Sequence, residues 1–364
     1  MKQLLCCFQT QLFILRFHTY RRLQGFLLEN CLASPLLFFY IWGDFSIWLF
    51  GLSWFILQLK IIPINKWLLF TLALLPLSIF IASSLSADAF TNGISFLLIS
   101  YIFKIAYTQN SRFGLKETMI IAGMAMLLAF SKTIYFFITF LIFIIPISKT
   151  GSLNKYLTMV SVTLVACILA SGISSLIVGY LSGQVNPIEQ LYGLAPGIPL
   201  INPSKQIAFI LSDLPGFMVM IFKSFSIFSG IIIKSYIGCL GWMELYFSNI
   251  YYLFAIGIII IIAFFGNNSA IEIKPLHRII FLSIIGLIIL SFSFTMYCSW
   301  AEPGANLITN MQGRYFIPAA PLLLFIWGLK RVDSIKEAIP FISMVLVVVS
   351  FVVTIYEVLL RYYL

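Results

Sequence analysis

Three charged residues, Asp88, Lys132 and Arg314, stand at the ends of strongly apolar stretches. Arg314 lies in Met311-Gln312-Gly313-Arg314-Tyr315-Phe316-Ile317-Pro318, which runs on into Ala319-Ala320-Pro321-Leu322. A guanidinium at membrane depth must snorkel to an interface, pair with an acid, or grip an anion, and its planar fork suits two phosphate oxygens. Lys132, in Phe130-Ser131-Lys132-Thr133-Ile134-Tyr135, offers the same choice between a snorkelling end and a cation for phosphate or pyrophosphate. Each is followed by a tyrosine, Tyr135 or Tyr315, whose hydroxyl can add a hydrogen bond to the same ligand. On this ground Lys132 and Arg314 are expected to converge on one anionic ligand. Asp88 opens an apolar run after Ser83-Ser84-Leu85-Ser86-Ala87. One reading is a helix cap. The other is a polar stripe, because Asp88, Asn92 and Ser95 follow i, i+4, i+7 spacing and share one helical face.

The elements that position these residues are membrane spans. With 61% hydrophobic residues, 9% charged residues and a mean hydropathy of +1.05, the chain is not a soluble globular domain. Apolar runs predict spans at about 35–58, 67–84, 88–107, 116–131, 133–148, 156–181, 246–265, 278–298, 314–329 and 339–362, roughly ten in all. The fold class expected is all-α: a polytopic integral membrane protein with about ten transmembrane helices and an outer interfacial or re-entrant helical layer. Residues 1–34 form an ill-defined N-terminal segment, an interfacial helix or a short span. Residues 35–364 read as a single multi-span membrane domain with an outer interfacial segment at about 182–245.

Lys and Arg set the orientation. The loops holding Lys60/Lys66, Lys104/Arg112/Lys116, Lys149/Lys155, Lys274/Arg278 and Lys330/Arg331/Lys336 fall on one side, which the positive-inside rule makes cytoplasmic. Lys132, Arg314 and Asp88 then share the outer side. The stretch 215–240 is apolar enough to be a span, but counting it as one would invert every later loop. It is therefore expected to lie along the outer interface, with Lys223 and Lys234 on one face.

Composition also excludes several classes. The net charge of +10 needs no nucleic-acid partner, since basic loops face anionic lipid. Six cysteines without Cys-x-x-Cys spacing and two histidines point to no metal site, and no phosphate-cradling glycine loop or other cofactor motif occurs. The expected localisation is the cell membrane, multi-pass, with membrane lipid as the constant partner.

Five stretches together resemble a bacterial membrane family, domain of unknown function 2142. They are Leu75-Pro76-Leu77-Ser78 with Ser83-Ser84-Leu85-Ser86-Ala87-Asp88-Ala89-Phe90-Thr91-Asn92-Gly93; Ala129-Phe130-Ser131-Lys132-Thr133-Ile134-Tyr135; Gly238-Cys239-Leu240-Gly241-Trp242; and Gln312-Gly313-Arg314-Tyr315-Phe316-Ile317-Pro318. The family is grouped with the C-type glycosyltransferases, which transfer a sugar from a polyprenyl-phosphate donor at the outer side of the membrane. The resemblance implies that Lys132 and Arg314 hold the lipid phosphate, that Asp88 and Asn92 line the cavity, and that a glycan is the acceptor. It also implies a catalytic carboxylate in an outer loop after the first span. Residues 1–34 hold no such stretch, so the chain is expected to lack that N-terminal loop, and no catalytic residue is assigned. Two other functions fit the same cations: a transporter or flippase of lipid-linked sugars, and a non-catalytic membrane partner.

Overall fold

The computed structural model describes residues 51, 53–84, 86–184, 203–241, 243–267, 271–301, 304–328, 335 and 337–363. The 1–34 segment, most of the expected 35–58 span, residues 185–202, and Lys330, Arg331 and Lys336 lie outside them. Among the described residues every regular element is helical except one antiparallel ladder, Cys239–Leu240 with Leu245–Tyr246. Five helices have the length and apolarity to cross a membrane: Ala87–Tyr107, Leu153–Ile177, Leu214–Gly238, Pro275–Trp300 and Ala338–Tyr362.

The other expected spans take different forms. The 67–84 stretch divides into Lys66–Ala73 and Pro76–Ala82, because Pro76 has no N–H for the helical ladder and starts a new helix at its first turn. The 314–329 stretch is a 3-10 turn, Gly313–Phe316, and a short helix, Ala320–Phe325, with Pro318 and Pro321 at the break. Residues 116–131 form the helix Leu115–Ser131, and 133–148 holds a 3-10 helix, Thr133–Ile144. The 246–265 stretch is the 17-residue helix Asn249–Phe265. The 215–240 stretch, expected along the interface, is one continuous helix of 25 residues with the composition of a span.

The described residues cluster into two compact units. The first comprises those of Met1–Asn110, Lys234–Pro275 and Arg314–Leu364. At its centre the Lys66–Ala73 helix packs against Asn249–Phe265 and Ala338–Tyr362, with Leu68, Leu69 and Leu72 wholly buried. Asn65 joins two of these helices. It is left-handed (φ 39°), a conformation Asn tolerates, and its Oδ1 accepts from Leu68 N at 3.2 Å. Its Nδ2 donates to the carbonyls of Ile262 (3.2 Å) and Ala263 (3.5 Å), near the end of the Asn249–Phe265 helix. One buried amide thus serves the start of one helix and the end of another. Tyr252 does similar work at the hairpin, donating to Gly238 O at 2.6 Å and accepting from Phe247 N at 3.0 Å. Gly241 and Met243 take positive φ to close that turn.

The second unit comprises Ser111–Ile233 and Leu276–Gly313. Here Leu115–Ser131 packs along Leu153–Gln184 through small side chains, Ala125, Ala129, Cys167 and Ala170, which let the backbones approach. The 3-10 helix Thr133–Ile144 packs on both. Its far end is tied back by Phe113 N to Lys149 O (3.0 Å) and by Lys149 Nζ to Ser111 Oγ (3.2 Å). Side chains also hold the irregular backbone that follows Trp300. Gln206 Nε2 donates to Ala301 O at 2.7 Å, Ser224 Oγ accepts from Ile308 N at 2.9 Å, and Tyr297 Oη donates to Ala305 O at 3.3 Å.

The Asn65 contacts set an expectation for stability. Asn65→Ala removes a cap and two amide donors and should cost about 2–3 kcal/mol. Asn65→Asp keeps the cap acceptor and should lose only part of that. Thermal unfolding of purified protein in nanodiscs reads both, and an Ala variant melting with the wild type would show that the joint contributes nothing.

Candidate functional site

In the first unit the serine-rich turn before Ala87–Tyr107 bends the chain from one helix into the next. Ser83 Oγ donates to Phe80 O and Ser84 Oγ to Ile81 O, so both satisfy the last carbonyls of Pro76–Ala82. Ser86 occupies the cap position, yet its side chain makes no cap bond; its hydroxyl lies 2.9 Å from that of Ser84. Asp88 stands in the first turn, where a carboxylate is favoured by the exposed N–H groups. Asp88 and Asn92 are half-buried and Ser95 is fully buried, so the stripe leads from the helix mouth into the packed interior. Ser95 Oγ has no hydrogen-bond partner.

Asn92 reaches a cavity of about 80 Å³. Its walls include Phe55, Gln58, Ser78, Phe96 and Ile317. Gly93, also in the wall, is held to hydrogen by Trp54, whose ring carbon would stand 2.6 Å from an added Cβ. Ile317 follows the turn that carries Arg314, so the Asp88–Asn92 helix and the arginine segment meet in one unit. Asp88 is not in the cavity wall.

Arg314 sits in the Gly313–Phe316 turn, half-buried. Its Nη2 donates to Tyr315 Oη at 3.0 Å, and the guanidinium carbon lies 5.0 Å from the Tyr315 ring centre. The adjacent tyrosine thus orients the fork by one hydrogen bond and by its ring face. Arg314 Nε is buried and has no hydrogen-bond partner among the described residues. A charged donor left in that state is costly, which is the condition an incoming anion relieves.

Lys132 and Tyr135 belong to the second unit. Lys132 is the extended residue (φ −151°, ψ 108°) between the Leu115–Ser131 helix and the 3-10 helix, with its N–H closing the first on Leu128 O and its carbonyl accepting from Tyr135 N. Its side chain is half-buried. Tyr135 is 1% exposed, so its ring is a core element of that unit. Among the described residues no group of three or more His, Cys, Asp or Glu side chains could hold a metal ion.

Sequence reasoning missed Gln58 and Ser78. Ser78 lay inside one of the stretches that carry the resemblance, but its neighbours there are apolar. Gln58 is two residues from Lys60 at a span end and reads there as an interfacial residue.

A family described as "Predicted membrane protein (DUF2142)" matches residues 47–323. No curated protein and no solved structure matches the chain.

The Tyr315 contacts can be separated by substitution. Tyr315→Phe keeps the ring and loses the hydroxyl acceptor, for about 1 kcal/mol. Tyr315→Leu should lose about 0.5–1 kcal/mol more with the ring face. Equal melting temperatures for the two variants would mean that the ring face does not hold Arg314.

Proposed function

The chain belongs to the DUF2142 family of predicted membrane proteins, and from that premise we propose that it is a glycosyltransferase using a polyprenyl-phosphate sugar. It acts at the outer side of the cell membrane on a cell-envelope glycan. The observation that carries this reading is Arg314: a guanidinium oriented by the Tyr315 hydroxyl and ring, with a buried Nε that no group among the described residues satisfies; Arg278 Nε shares the last condition but not the orientation. A lipid phosphate supplies the missing acceptor and stays at the depth where the side chain lies. The Asp88–Asn92 face and the cavity that Asn92 lines stand in the same unit as Arg314, beside the segment that follows it. Lys132 and Tyr135, in the second unit, are proposed in their own right as a cation and hydroxyl for a lipid phosphate. Inverting sugar transfer also requires a general base within hydrogen-bond reach of the acceptor hydroxyl; none is assigned among the described residues.

Binding and transfer are read separately. In nanodiscs, Arg314→Lys should weaken binding of a polyprenyl phosphate by about 1–3 kcal/mol, because Lys keeps the charge and loses the fork. Lys132→Ala should weaken it on a similar scale. Unchanged binding in both variants would mean that the two side chains only snorkel. Transfer is followed with membranes and a panel of polyprenyl-phosphate sugars. Binding without transfer by any of them would favour a carrier or a non-catalytic partner.

Orientation has its own test. Gln109 and Glu272 are exposed residues of loops assigned to the cytoplasmic side. Gln109→Cys and Glu272→Cys should resist a membrane-impermeant thiol reagent in intact cells; labelling of Glu272→Cys alone would mean that Leu214–Gly238 crosses the membrane and inverts every later loop, and ready labelling of both would reverse the proposed sidedness.

A further inference from the structure

Gln58 is 3% exposed, lines the cavity of the first unit, and its Oε1 has no hydrogen-bond partner among the described residues. Buried amide oxygens are seldom left so, since the loss of water is not repaid by any protein donor. None of its described neighbours donates to it. The Ser78 hydroxyl proton is committed to Leu72 O at 2.8 Å, which leaves Ser78 only lone pairs to offer. Asn92 adds an amide that both accepts and donates. The polar part of the wall is therefore rich in acceptors. The remainder is apolar, including Phe55, Phe96 and Ile317, and among the described residues no Lys, Arg, Asp or Glu lines it.

These facts select a ligand class. Among the described residues of the wall an anion finds no cation and a cation no carboxylate. A hydrocarbon chain would leave Gln58 Oε1 as it is. A neutral group with several O–H donors and apolar C–H faces satisfies both parts of the wall, and a sugar ring is such a group. At about 80 Å³, and open on one side, the cavity takes the edge of one ring and not an oligosaccharide.

We propose that this cavity takes the sugar ring of the lipid-linked donor, with ring hydroxyls donating to Gln58 Oε1 and Ser78 Oγ and with Asn92 at its polar side. This rests on the reading of the chain as a protein that binds a polyprenyl-phosphate sugar, and it adds where the neutral end of that molecule goes. The choice of donor over acceptor follows from Ile317, which lines the cavity three positions after Arg314, so cation and cavity share one segment.

The test compares two lipids on the full chain in nanodiscs: a polyprenyl phosphate, and the same lipid carrying a hexose. Gln58→Leu should weaken the hexose-bearing lipid about tenfold, the loss of one buried hydrogen bond, and leave the bare phosphate unchanged. Ala82→Leu, which fills the cavity from a different helix, should do the same, and melting curves confirm that each variant is folded. Arg314→Lys should weaken both lipids. If Gln58→Leu and Ala82→Leu change neither lipid, or both equally, the cavity holds ordered water or nothing specific and the proposal is overturned while the phosphate reading stands. A loss seen only for a free methyl hexoside, with the lipid-linked sugar unchanged, assigns the cavity to the acceptor and also overturns it. If the wild type binds neither lipid, the phosphate reading fails first and this proposal with it.

Discussion

The constraint behind most of this architecture is that a backbone in hydrocarbon has no water to bond with. Long helices meet it alone. At several places where a helix stops short, a buried side chain takes over orphaned groups. Asn65 serves the start of one helix and the end of another, and Tyr252 closes the hairpin. Gln206, Ser224 and Tyr297 do the same for the irregular residues after Trp300. Polar residues in so apolar a chain are mostly spoken for by this demand. Eight buried side-chain atoms among the described residues lack a partner, and two of them stand apart by their setting: Gln58 belongs to a cavity wall, and Arg314 is held by the Tyr315 hydroxyl and ring.

The helical, membrane-embedded character of the chain was legible because it depends on composition and run length. The Asp88–Asn92–Ser95 stripe was legible for the same kind of reason, since a period of 3.6 fixes which residues share a face. The number of long helices was not. A hydropathy reading counts apolar residues and gives little weight to a proline, yet Pro76 divides one expected span and Pro318 and Pro321 divide another. Nor does composition distinguish an α-helix from a 3-10 helix, which is why Thr133–Ile144 reads as an ordinary span.

The candidate site was legible to a similar degree. Arg314 and Tyr315 are adjacent, so their contact needs only local geometry, and it is present. Gln58 and Ser78 are far from Asn92 in the chain, on separate helices, and only packing puts them around one space. Tyr135 differs in another way: its burial in the core of its unit was not legible, because its place one turn after Lys132 says nothing of which way the ring turns.

The 3-10 helix after Lys132 has a metric consequence. The Leu115–Ser131 helix runs 17 residues, about 25 Å at 1.5 Å per residue. The return through Thr133–Ile144 has only 12 residues, but at about 2.0 Å per residue they cover about 24 Å. Out and back are thus nearly equal, and the bond from Phe113 N to Lys149 O closes the loop. Wound as an α-helix, the same 12 residues would reach about 18 Å, short by roughly one turn. The tighter winding lets a short strap match the thickness set by a longer strut, with Lys132 as the pivot between them.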